Sequence, residues 1–300
     1  MGEPFFSEKG ACGTVYANLL ALDQGDPMRQ IVEDLWARFQ PSHDRHFLRE
    51  ARTSFQERFW EMYLFSALQD QGLNPQKGEG AGPDFSVLIE GRRYWIEAVA
   101  PGKGNGADQV PAMDFDCHEA RLVPHAQIQL RYAASIADKA GKWPGWLEKG
   151  IVKEGDGFLI ALNGFGCNEF MDATPPLFVR ACLGIGHPTI AIDAKTLEVV
   201  DSFYAFSDSI TKKSGEAVST TPLLNPAFAH VSGVMHSLAF CGARRGSLLE
   251  GMEFLQNPLA SIPFPGEAVA GFRRYSWSER GLTTINPEPA WDEDPDLEAE

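Results

Sequence analysis

Asp84 and Glu97 stand at the two ends of one patterned stretch, GPDFSVLIEGRRYWIEAVA over 82–100. An acid opens a first apolar run, a short turn follows, and a second apolar run carries another acid near its end. Folded as a hairpin, this spacing brings the two carboxylates together at one end of a sheet. Paired carboxylates of this kind grip a hard divalent cation, which prefers oxygen ligands and serves as a Lewis acid toward phosphoryl oxygens. A third acid, Glu61, lies in the apolar segment just upstream. Glu97 and Glu61 also have plainer readings: Glu97 can pair with Arg92 or Arg93 at a strand end, and Glu61 with Arg58 or with another chain segment.

The elements that must position these acids follow from residue pattern. Asp84–Glu90 and Arg93–Ala100 are rich in Val, Ile, Leu and aromatic residues, and Glu90-Gly91-Arg92 forms the turn, with Gly91 able to take a positive φ. Alternation puts Tyr94, Ile96 and Ala98 on one face and Trp95, Glu97 and Val99 on the other. Arg52–Gly72 is apolar around most of its circumference, contains no proline and ends at glycine, which predicts a buried helix of about five turns. Glu61 shares a face there with Leu64, Phe65 and Leu68, so it points inward or into a cleft, whereas Glu57 is expected in solvent. His125–Trp143 predicts an amphipathic helix, with Ile128, Tyr132, Ile136 and Ala140 on the packed face and Arg131, Ser135 and Lys139 on a neighbouring polar stripe.

Taken in order, Glu61, then Gly82-Pro83-Asp84-Phe85, then Trp95-Ile96-Glu97-Ala98-Val99, the chain resembles the PD-(D/E)XK nuclease superfamily, the restriction-endonuclease-like fold, over residues 52–165. The resemblance implies an α/β architecture with a central mixed sheet flanked by helices. It also implies Mg²⁺-dependent (or Mn²⁺-dependent) phosphodiester hydrolysis, with DNA as the default nucleic-acid partner. Asp84 and Glu97 would be metal ligands and Glu61 an accessory acid. The chain departs from the family at Val99, where the motif has a lysine that orients the attacking water and offsets developing charge. Lys139 is the candidate replacement, with Arg131 and Gln129 as phosphate contacts. Lys103 is a further candidate in the glycine-rich loop 101–106, which lacks a P-loop ending and is expected to be a flexible flap. The alternative is a catalytically inactive nuclease-fold protein acting as a binding or scaffold module.

Strand pattern resumes at Asp156–Asn163, an almost continuous apolar run expected in the middle of a sheet. Pro175–Gly186 predicts a short helix, and Thr189–Asp193 with Leu197–Phe206 a strand pair. Ala229–Cys241 reads as a further strand, Met252–Leu255 as a short last strand, and 207–227 as a long loop. No long linker separates these elements. One domain is therefore expected over 1–286, with a core region at 52–165 and an extension at 166–286, followed by a disordered acidic tail at 287–300.

At 300 residues and 44% hydrophobic content the chain can bury a sizeable core. No apolar run approaches the roughly 20 residues that span a bilayer. Five scattered cysteines without a CxxC pair fit reduced thiols, hence a cytoplasmic expectation and no membrane partner. The net charge of −15 runs against nucleic-acid binding, but seven acids fall within Glu288–Glu300, and without them the charge is −8. That tail is a solubilising segment or a contact for a protein partner.

Overall fold

The computed structural model describes residues 3–7, 10–78, 80–112, 122–167, 169, 173–242 and 246–287. Four helices come first: α1 (Thr14–Leu20), α2 (Pro27–Phe39), α3 (Phe47–Ala51) and α4 (Phe55–Asp70). Strands β1 (Gln76–Lys77), β2 (Phe85–Ile89) and β3 (Arg92–Val99) follow, then α5 (His125–Ala140), α6 (Trp143–Glu148) and β4 (Gly157–Asn163). The second half holds α7 (Leu177–Leu183), β5 (Ile185–Ile192), β6 (Val199–Phe206), β7 (Ser209–Thr211) and β8 (Ala217–Ser219). It closes with β9 (Gly233–Ser237), β10 (Glu253–Gln256), β11 (Arg273–Ser278) and β12 (Gly281–Ile285).

Eight strands form one mixed sheet in the order β1-β2-β3-β4-β9-β10-β11-β12. The segment β3–α5–β4 is a crossover between parallel neighbours, and β9 lies parallel to β4 on its other side. Helices cover both faces, so β4 reads as a continuous apolar run because all seven of its residues are buried. Helix α4 lies against one face, with 11 of its 16 residues buried and the Trp60 indole N–H donating to the Ala161 carbonyl of β4 at 2.9 Å. Its apolar side chains contribute about 1.5–3 kcal/mol each when fully buried. Tyr94, Ile96 and Ala98 belong to the core on that face, while Trp95 packs in the opposite core with α5, α6 and α7. The expected architecture, a central mixed sheet flanked by helices, is thus the observed one.

The hairpin closes as expected through Glu90-Gly91, both at positive φ (51° and 80°), a pairing suited to the tightest hairpin turns. Several other expectations need correction. Met252–Leu255 is not the last strand, since β11 and β12 extend the sheet beyond it. The stretch 207–227 is not simply loop, because β7 and β8 pair within it. The helix from His125 stops at Ala140, and α6 begins afresh at Trp143 after Gly141. Only Gly233–Ser237 of the run 229–241 is strand. Residues 288–300 of the expected tail lie outside the described residues.

Candidate functional site at the end of the hairpin

The register of β2 and β3 sets Phe85 opposite Ile96, which brings Asp84, one residue before the strand, beside Glu97. Asp84 Oδ2 accepts the Ala98 N–H at 2.8 Å. The chain before Asp84 is fixed by close approach at Gly78, whose N–H donates to the Asp84 carbonyl at 2.9 Å. A Cβ at Gly78 would lie 1.9 Å from the Pro83 carbonyl oxygen, so only glycine fits. From the other side the Trp146 indole of α6 donates to the Ala81 carbonyl at 2.8 Å.

Around Asp84 stand two acid–base groups. On the α4 side, Glu61 is 5% exposed and accepts from Arg58 through one oxygen and from Lys77 of β1, at 3.2 Å, through the other. Arg58 also pairs with Glu50 at 2.9 Å. On the α5 side, Glu97, again 5% exposed, accepts from Lys139 at 2.8 Å and Lys142 at 3.0 Å, both through Oε1. Neither Arg92 nor Arg93 is its partner. Three carboxylates therefore share the end of one hairpin with Arg58, Lys77, Lys139 and Lys142. With Glu50 beside Arg58, four cations there meet four acids, so this small region is balanced in charge within a chain that is acidic overall.

The electrostatics follow from that crowding. Burial, then the charges of Glu61 and Glu97, push the Asp84 pKa up to about 7, against the opposing pull of Lys77 and the Ala98 N–H. Burial raises Glu61 above its ordinary value in spite of Lys77 and Arg58. For Lys139, burial works against the charged form, yet the charge and hydrogen bond of Glu97 more than offset it, and its pKa rises. Lys139 is accordingly a fixed cation, not a proton donor poised near neutrality.

The remaining expected site residues are placed differently. Arg131 Nε donates to the Gly102 carbonyl at 2.9 Å, and its side chain lies over Gly104 so closely that a Cβ there would sit 3.1 Å away. It clamps the loop after β3 and does not reach out to a ligand. The Cys167 thiol adds a bond to the Pro101 carbonyl at 3.2 Å, and the Lys103 carbonyl accepts from Val110 N–H at 2.9 Å. The loop expected to be a flap is therefore pinned along its first three residues, and Lys103 sits half-buried on it. Gln129 donates back to its own helix at the His125 carbonyl, 3.3 Å away. Lys77 and Lys142 were not anticipated. Lys142 carries a signal, since the helix expected to run to Trp143 would place it about one turn after Lys139; in the structure it stands just before α6. Lys77 carries none, because a two-residue strand has no period to read.

Glu97 Oε2 and Asp84 Oδ1 have no partner among the described residues, and they are the oxygens free to meet a cation. Within the described residues no group of three or more His, Cys, Asp or Glu forms a ready-made metal cage. Mg²⁺ suits such a place, because it is held by one or two carboxylates with water and substrate oxygens completing the shell. A groove of about 1180 Å³ lies at the opposite, turn end of the hairpin; among the groups around Asp84 only Lys77 lines it, together with Arg92, Arg93, Lys153 and Trp95 and the acids Glu90, Glu154 and Asp156, and the Arg93 guanidinium is 5.3 Å from the Trp95 ring. No helix among the described residues is long and apolar enough to cross a membrane. No known family, curated protein or solved structure matches the chain.

Proposed function

We propose that the chain is a divergent, metal-dependent nuclease of the PD-(D/E)XK type that hydrolyses phosphodiester bonds, with Asp84 and Glu97 as the metal pair. The observation that carries this reading is the Lys139–Glu97 contact of 2.8 Å, which supplies from α5 a cation that Val99 cannot. A bound Mg²⁺ or Mn²⁺ would polarise the scissile phosphoryl group and lower the pKa of the attacking water. Asp84 and Glu97 orient their free oxygens by anchoring the others on the Ala98 N–H and the two lysines. Lys139 holds Glu97 in place and offers further N–H groups to a phosphate oxygen or to water, so that it neutralises charge as it develops. Lys142, 41% exposed, offers a second contact to the anionic substrate. Glu61, gripped by Arg58 and Lys77, acts as the accessory acid whose negative charge favours a cation beside Asp84. DNA is carried over from the family resemblance, which is an argument by analogy of fold.

A second reading, a nuclease-like binding or scaffold module without catalysis, is favoured by Val99 and by the ion pairs that occupy Glu61 and Glu97. One assay separates the two. Linear, circular and single-stranded DNA and RNA are incubated with the protein in Mg²⁺ or Mn²⁺, beside Glu97→Ala. Cleavage by the wild type that disappears in Glu97→Ala supports the nuclease. Binding without cleavage of any substrate supports the scaffold, and cleavage retained in Glu97→Ala rejects the assignment of the site.

A further inference from the structure

The strands β5 and β6 form a separate two-stranded ribbon that leaves the body just after α7. Its root is anchored, with Ile185 buried at 2% and Tyr204 packed on the core beneath α7. Beyond the root it is unusually apolar for a solvent-facing element. Ile190, Ile192, Val199, Val200, Phe203 and Phe206 are between 48 and 64% exposed, and Leu197 in the turn is 77% exposed. An isolated two-stranded ribbon is marginal in water, and monomeric proteins rarely expose contiguous apolar patches beyond a few hundred Å². These side chains fall on both faces of the ribbon, with Ile190, Ile192 and Val199 on one and Phe203, opposite Thr189, on the other. At roughly 100 Å² each they total about 700 Å² per molecule, close to the 800 Å² per partner of a standard specific interface for a partner that covers both faces.

We propose that this ribbon is a dimerisation arm whose occupant is the same arm of a second copy of the chain. Three observations favour that partner. The register, Pro188 opposite Tyr204 and Ile190 opposite Ser202, puts Pro188, Ile190 and Ile192 on one face, with Val199 opposite Ile192. An apolar stripe of this kind is complementary to itself across a two-fold axis. The outer edge of β5 is open among the described residues, and β5 contains no Asp, Glu, Lys or Arg. Antiparallel pairing of β5 with its twin over Thr189–Ile192, the stretch beyond Pro188, therefore meets no like-charge penalty, whereas natural open edges are ordinarily blunted by charge. The only charged side chains on the ribbon and its turn are Asp193, Glu198 and Asp201 against Lys195, a net negative balance that disfavours both a nucleic-acid backbone and an anionic lipid surface.

The test is sedimentation velocity on the full chain from about 1 to 100 µM. The wild type is expected to sediment as a dimer of the 33.0 kDa chain. Ile190→Lys is expected to weaken dimerisation by about a hundredfold or more, since it buries two unpaired charges across the axis. Ile190→Val should keep the dimer. A folded variant with 188–204 replaced by a short Gly-Ser turn should be monomeric with an unchanged far-UV spectrum of the helices. A wild type that is monomeric across this range overturns the proposal. So does a dimer that persists in the armless variant, or equal affinity of Ile190→Lys and wild type. A monomer that instead binds lipid vesicles or a heterologous protein through the arm overturns it as well.

Discussion

The candidate site trades stability for charge. Asp84 has a folded pKa of about 7 against an ordinary value of 3.8, so the folded state holds a proton that the unfolded chain releases. Its contribution to stability is full below about pH 4 and is lost as pH rises through 7. Asp84→Asn keeps an acceptor for the Ala98 N–H and removes the like-charge repulsion. We expect this variant to gain about 1–3 kcal/mol in urea unfolding at pH 8, after discounting for the part of Asp84 that meets solvent, and to lose nuclease activity. A stability gain near zero would mean that the three carboxylates do not repel one another as described. Lys139→Met should reduce the cleavage rate about 10²- to 10³-fold with Mn²⁺ affinity within a few fold of wild type, whereas Lys142→Met should chiefly raise KM. Equal effects of the two lysines on rate would assign the phosphate-neutralising role to both.

At the scale of elements, the site depends on how the hairpin is held. Gly78→Ala forces a Cβ against the Pro83 carbonyl and should cost about 1–3 kcal/mol while lowering activity, because the same displacement moves Asp84. A second buried network lies on the same α5 face of the sheet, beyond β4. His236 of β9 bonds Glu253 of β10 at 2.8 Å and lies 3.7 Å from Glu169, while Tyr275 of β11 donates to Glu253 at 2.7 Å and Tyr132 of α5 donates to Glu169. Burial disfavours charge on His236, but the two glutamates overcome it and lift its pKa to about 9. Its stabilising contribution is therefore full below pH 6.5 and lost as pH rises through 9. Unfolding free energy should fall over that window, and His236→Leu should cost about 3–5 kcal/mol at pH 7 with most of that pH dependence removed. The sequence made much of this legible. The hairpin, α4, α5 and β4 are long and strongly patterned, so period and turn chemistry locate them, and the adjacency of Asp84 and Glu97 follows from register alone. Strands β11 and β12 were missed because RRYSWS and GLTTI mix polar and apolar residues at the sheet edge, where only one face is partly covered. The partners of Glu61 and Glu97 were not fixed by pattern, since long lysine side chains reach across elements whose relative placement is a tertiary property.

Over the whole molecule, a polyanionic substrate of the proposed nuclease would meet an acidic chain. The charge of −15 would repel nucleic acid at long range, while Lys77, Lys139 and Lys142 would attract it at contact. Removing residues 288–300 changes the net charge to −8. This truncation should strengthen DNA binding at low salt, with the difference vanishing as salt approaches about 1 M. A difference that persists at high salt would point to a specific contact made by the tail and not to its charge. In the proposed site Asp84 and Glu97 hold one divalent cation between them. Crystals grown with Mn²⁺ and a short DNA duplex, measured at the manganese absorption edge, test it directly. One anomalous peak is expected within about 2.0–2.4 Å of both Asp84 Oδ1 and Glu97 Oε2, absent in Asp84→Asn. Lysine ammonium groups filling that position in the presence of Mn²⁺ and DNA, with no peak beside either carboxylate, would contradict it.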